Sequence, residues 1–75
     1  MNIPSRGWLM DVFRCLEDIK TETFTLQEMY QFEGRLQIRH PENHNIRAKI
    51  RQQLQYLRDK GLIQFIKRGV YRKIR

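Results

Sequence analysis

Arginine and glutamine recur along residues 46 to 58, IRAKIRQQLQYLR, at a spacing that gathers them on one side of a helix. Ile46, Ile50, Leu54 and Leu57 follow one another at steps of four, four and three, the seam of a helix face that buries itself. At ~100° per residue the seam centres on Ile50 and Leu57. The opposite direction holds Ala48, Arg51, Gln52 and Gln55, with His44 at the amino end and Arg47 and Arg58 toward one edge. Arginine can fork onto the two acceptors of guanine, glutamine onto the N6/N7 edge of adenine, and a small apolar residue can meet a base methyl. Base contacts come mostly from the first turns of such a helix. Arg47, Ala48, Arg51 and Gln52 are therefore the sharpest candidates, with Gln55 one turn further on.

A second set of cations sits where phosphates would lie. Lys67 and Arg68 stand at the tip of a short basic hairpin, and Arg72 and Lys73 follow on its return strand. With His44 and Arg58 at the helix flanks, they can reach the backbone on either side of a groove. Arg6 precedes the first helix, where the helix N-terminus would help it hold a phosphate. The competing reading of each group is a solvated surface, with the wing charges guarding a sheet edge.

The charge balance supports a polyanion partner. The 75 residues carry net charge +7, unevenly placed. Residues 1 to 34 hold three Lys/Arg against six Asp/Glu, or −3, and residues 35 to 75 hold twelve against two, or +10. Ten of the fifteen cations are arginine, the type suited to forked contacts.

The elements that must position these residues follow from periodicity. A first helix is expected over 5 to 20, with Ser5 as N-cap and Trp8, Leu9, Val12, Phe13, Leu16 and Ile19 on one stripe. Residues 21 to 25, TETFT, are mostly β-branched or aromatic and too few for a helix, so a short strand is expected over 22 to 25. Thr25 and Glu28 form a capping box opening a helix over 26 to 39, which Gly34 could interrupt and Pro41 ends. The recognition helix is expected over 44 to 60, capped by Asn43 or His44 and stopped by Gly61. A wing over 62 to 74 follows, with Gly69 in its turn. The expected fold is mainly α with a small β-hairpin, a winged helix-turn-helix in one domain spanning 1 to 75.

Other chemistry finds little footing. Trp8, Phe13, Tyr30 and Phe32 read as core, and Tyr71 could be core or contact. His40 and His44 with the lone Cys15 do not make a metal site. There is no nucleophile–base pair and no glycine-rich phosphate loop, so no cofactor and no catalytic residue is expected. One cysteine allows no internal disulfide, which favours a cytoplasmic setting. The start MNIPSRGW has no signal-peptide core, no apolar run is long enough to span a bilayer, and the abrupt opening suits a domain of a longer chain, although a complete small protein could start the same way.

Particular motifs carry a resemblance. SRGW at 5 to 8, the FTL-E-MY-FE pattern across 24 to 33, IRQQLQ at 50 to 55, LRDK at 57 to 60 and G-YRK at 69 to 73 closely resemble the C-terminal domain of the DpnI-like methyl-directed restriction endonucleases and of the related Dam-replacing proteins. The resemblance covers residues 5 to 74. It implies a winged helix that reads N6-methyladenine in a GATC-like duplex site, following an N-terminal PD-(D/E)XK nuclease domain. It puts Arg51, Gln52, Gln53 and Gln55 in the shared recognition run and Arg72 and Lys73 in the shared wing strand. Residues 37 to 49 depart from the family pattern, which leaves the target sequence open. A monomer in the prokaryotic nucleoid, with cleavage left to the parent protein, completes the expectation. The rivals are a transcription regulator on an unmethylated operator and a protein-interaction winged helix.

A polyanion-binding surface of this kind predicts strong salt dependence. With four to six phosphate contacts, the slope of log K against log salt concentration is expected at roughly −4 to −5. A duplex titration over a range of salt checks it, and a flat response would count against nucleic acid as the partner.

Overall fold

The computed structural model describes residues 7–74. Helix α1 (Trp8–Asp18) turns Asp11, Val12, Cys15 and Leu16 inward. It is shorter than the periodicity suggested. Gly7, at φ 101°, holds the N-cap position without a side-chain cap, and Ile19 is already extended. Ser5, the expected cap, lies outside the described residues, as does Arg6.

Strand β1 (Thr23–Thr25) leads directly into helix α2 (Leu26–Tyr30). The capping box forms as expected. Thr25 Oγ1 accepts from the Glu28 amide at 3.1 Å and Glu28 Oε1 accepts from the Thr25 amide at 2.8 Å. The expected single helix over 26 to 39 is instead two, α2 and α3 (Glu33–Arg39). The break falls at Gln31 and Phe32, where the Gln31 and Phe32 amides bond to the Glu28 and Met29 carbonyls three residues back. That tighter pitch ends α2 and lets Phe32, at φ −88° and ψ 7°, pack against the core. Gly34 lies inside α3 and breaks nothing.

Helix α4 (Ile46–Asp59) is capped by Asn45, whose Oδ1 accepts from the Ala48 amide at 3.2 Å. Neither Asn43 nor His44 takes that place. The Asn43 side chain instead accepts from the Asn45 amide at 2.8 Å and fixes the approach. At the far end the Gly61 amide bonds to the Arg58 carbonyl and the Leu62 amide to that of Leu57. Gly61 has φ +79°, so this is a Schellman stop that needs glycine.

Strands β2 (Ile63–Lys67) and β3 (Val70–Lys73) make the wing, and β1 joins it in the antiparallel order β1-β3-β2. Phe24 lies opposite Tyr71, and Phe65 lies opposite Tyr71 on the other side. A bulge between Phe65 and Lys67 brings the strand to the turn at Arg68 and Gly69, where Gly69 has φ +74°. The Gly69 carbonyl accepts from the Leu26 amide at 2.9 Å, tying the wing turn to the start of α2. The result is a winged helix-turn-helix, with α2 to α4 as the helical unit. Among the described residues no helix is long and apolar enough to cross a membrane.

One core joins all of it. Ile46, Ile50, Leu54 and Leu57 of α4 meet Val12, Cys15, Leu16, Phe24, Met29, Leu36, Ile63 and Tyr71. Burial pushes the Cys15 thiol from its ordinary value of 9.0 up to about 11. The unfolded chain gives up that proton first. The contribution to stability is therefore complete below about pH 9 and lost as pH rises toward 11. The thiolate is the reactive form, so Cys15 is expected to resist a thiol reagent near neutral pH in the native protein. It should react at once in denaturant. Prompt labelling of the folded chain would show that α1 does not hold this residue inside.

Candidate nucleic-acid interface

The turn ahead of α4 decides where that helix points. One side chain, Gln37, donates from Nε2 to the carbonyls of His40 (3.2 Å), Pro41 (3.3 Å) and Asn43 (3.0 Å). The Asn43 and Asn45 side chains complete the turn at the start of the helix. Behind it, α1 grips the end of α3. Asp11 is 5% exposed, and its two oxygens meet His40 Nε2 at 2.7 Å and Arg39 Nε at 3.3 Å. The Trp8 ring stacks on His40 at 3.8 Å between centroids. A second tie joins the same helices, Arg35 to Asp18 at 2.5 Å. Hydrogen bonding from Arg35 holds the Asp18 carboxyl below its ordinary value.

With its seam buried, α4 turns the expected residues outward. Arg47, Arg51, Gln52, Gln55 and Arg58 are exposed and Ala48 is half-buried, with exposed His44 just ahead in the turn. Gln53 is not among them. It is 4% exposed and faces the interior, so it cannot share the role of its neighbours in the run. The exposed cations are also held. Arg47 Nε donates to Glu33 Oε1 at 3.0 Å, and its guanidinium lies 4.8 Å from the Tyr30 ring centroid. Arg51 Nη1 bonds to Tyr30 Oη at 2.6 Å. Arg58 contacts Asp59 and lies 4.6 Å over the Phe65 ring, joining helix to wing.

The wing divides its four cations. Strand alternation puts Arg72 on the face opposite Tyr71, beside Glu22 at 3.8 Å and away from α4. Lys73 turns back and donates to the Ile19 carbonyl. Lys67 and Arg68 alone of the four join the helix. With Arg51, Tyr30, Phe65, Tyr71, Leu26 and Gly69 they line a cleft of ≈ 540 Å³ between α4, α2 and the wing. The floor of that cleft is aromatic. Tyr71, 6% exposed, packs edge-on to Phe65 at 4.9 Å, and burial raises its hydroxyl above the ordinary value. Among the described residues no three His, Cys, Asp or Glu side chains stand close enough together to hold a metal ion.

An exposed helix carrying arginine and glutamine, backed by a helix-turn-helix core and flanked by basic wing residues, defines a winged helix-turn-helix DNA-binding domain. Comparison with known families narrows this further. The family described as the Dam-replacing HTH domain, the DpnI C-terminal family, matches residues 4–73, and the chain belongs to it.

Sequence reasoning missed the residues that hold this surface in place. Tyr30 was assigned only to the core, and Glu33, Gln37 and Asp11 to nothing. The partners of Glu33, Tyr30 and Asp11 lie 14, 21 and 29 residues away in the chain, outside any helical period. Glu33 sets a carboxylate beside Arg47, and its negative charge opposes the approach of a polyanion to this face. Glu33→Gln is therefore expected to tighten binding to duplexes of any sequence by about two- to fivefold, the range an exposed ion pair allows. Fluorescence anisotropy with two unrelated duplexes checks it, and unchanged affinity for both would show that the Glu33–Arg47 pair lies away from the DNA.

Proposed function

We propose that this domain reads N6-methyladenine in double-stranded DNA, in a GATC-like site, as the targeting module of a methyl-directed restriction endonuclease with its nuclease domain on the N-terminal side. The observation that carries the reading is the outermost ridge of α4. Ala48, Gln52 and Gln55 present a small apolar spot among uncharged amides, with Arg47 and Arg51 along one edge. An unmethylated operator can offer that spot only a thymine C5-methyl, whereas methylated adenines add further apolar groups to the same groove.

The chemistry fits the methyl mark. In a paired base the one amino hydrogen that N6-methylation leaves goes to thymine, so N7 alone remains on the groove edge, as an acceptor for one amide N–H. The methyl adds an apolar bump in the major groove. In a GATC step the two adenines occupy adjacent base pairs, so full methylation sets two methyls close together in one groove. Ala48 and the methylene stems of Arg51, Gln52 and Gln55 offer the surface to cover them. Arg47 and Arg51 supply the guanine contacts, and Lys67, Arg68, Arg58 and His44 the phosphate contacts. Arg72 and Lys73 are left out, since one faces away from α4 and the other is engaged at Ile19.

The test is a titration with three duplexes of one sequence. Burying a methyl is worth ~0.8 kcal/mol. Two give ~1.6 kcal/mol, so the fully methylated duplex should bind about tenfold tighter than the unmethylated one, with the hemimethylated form between them. Arg51→Ala or Gln52→Ala should cost about 1–3 kcal/mol on the methylated site and blunt its sequence preference. Lys67→Ala or Arg68→Ala should weaken all duplexes alike and flatten the salt slope. Equal affinity for all three duplexes would sink methyl reading and favour an unmethylated operator.

A further inference from the structure

Two arginines four residues apart on one helix repel each other and, unrestrained, sample many rotamers. Here one aromatic side chain manages both. The Tyr30 ring lies under Arg47, 4.8 Å from the guanidinium carbon to the centroid, while the Tyr30 hydroxyl holds Arg51 Nη1 at 2.6 Å. Tyr30 is half-buried on α2, which packs against α4, and it lines the cleft between that helix and the wing. Glu33, one turn further along at the start of α3, adds the bond to Arg47 Nε.

The atoms used decide what remains. A guanidinium has five N–H donors in a planar fork. The bond to Tyr30 takes a donor of Nη1 on Arg51 and leaves the Nε–Nη2 edge for a pair of acceptors. On Arg47 Nε is occupied by Glu33, which leaves the Nη1–Nη2 end. The two cations are thus held in different poses, each with one two-donor edge free. A guanine N7/O6 pair fits such an edge.

We infer that Tyr30 is a positioning residue for DNA sequence recognition, pre-orienting Arg51 through its hydroxyl and Arg47 through its ring. The inference rests on the reading of α4 as the base-contacting helix. Pre-organisation acts on discrimination more than on attraction. An arginine freed from Tyr30 keeps its charge and still finds phosphates, but must be ordered anew to meet one base edge.

The experiment compares the unaltered chain with Tyr30→Phe, Tyr30→Leu and Arg51→Ala. The probes are a fully methylated GATC duplex, a panel with each flanking and central base pair replaced in turn, and a random duplex. Tyr30→Phe keeps the ring and removes only the hydroxyl. It should leave the melting curve, the random-duplex affinity and the salt slope unchanged. Its discrimination at the base pair where Arg51→Ala loses preference should fall by about two- to tenfold, the cost of ordering one long side chain. Tyr30→Leu should lose discrimination at a second position as well, and if it does not fold, Tyr30→Phe still decides the matter. Full discrimination by Tyr30→Phe, with discrimination lost in Arg51→Ala, would overturn the positioning role alone. An equal loss on all duplexes would make Tyr30 an ordinary support of the fold or a phosphate contact, and would overturn it too. Undiminished discrimination in Arg51→Ala would instead remove the recognition-helix reading on which it rests.

Discussion

Helix α4 is at once the spine of the core and the carrier of an exposed row of arginine and glutamine, and the rest of the molecule is arranged around that double demand. Its seam of Ile46, Ile50, Leu54 and Leu57 is fully buried, and it packs against α1, α2, α3 and β2. A domain of 75 residues has little apolar surface to bury. It cannot spare its longest helix for binding alone. The 3.6-residue period resolves the conflict, because it separates the two faces by roughly half a turn of the wheel. The same rigidity that keeps the seam packed keeps Ala48, Gln52 and Gln55 in a fixed register on the other side. Gln53 marks the boundary. Its amide is of the same type as its neighbours', but its angular position carries it inside.

Holding the helix in place is polar work. The turn from His40 to Asn45 has almost no apolar anchor, so its backbone carbonyls are satisfied by Gln37 and its amides by Asn43 and Asn45. The Asp11 carboxylate fixes the end of α3 from the other side, through His40 and Arg39. A buried carboxylate is costly unless it is partnered, and here one oxygen is hydrogen-bonded to His40 and the other pairs with Arg39. The domain's acidic half therefore has a structural use. Asp11, Asp18 and Glu33 each take an arginine that would otherwise repel its neighbours.

The wing shows how strand geometry sorts a basic cluster. Arg68, Arg72 and Lys73 are close in sequence, yet the alternation of β3 sends Arg72 to the outer face and Lys73 toward Ile19. Only the tip, carried forward by the bulge before Lys67, shares a cleft with Arg51. Phe65 secures that arrangement from below, between the Arg58 guanidinium and the Tyr71 ring. The wing is thus fastened to α4 by aromatic contacts, with Lys67 and Arg68 at its tip.

The sequence by itself determined the order of elements, the buried seam of α4, the capping box at Thr25, the glycine stops at Gly61 and Gly69, and the outward face of α4. Each of these is a local property, set by periodicity, by a side chain bonding its own backbone, or by the φ that glycine alone adopts freely. Motifs spread over nearly the whole chain were enough to indicate the family. Tertiary structure decided the rest. It split the second helix at Phe32, since packing of that ring outweighed the helix continuing through it. It buried Asp11 and Cys15, and withdrew Arg72 and Lys73 from the face of α4. It also gave Tyr30 a partner in each of two arginines. These outcomes depend on residues 14 to 54 positions apart meeting in space, and no one-dimensional pattern encodes which of several equally polar side chains will be the one within reach.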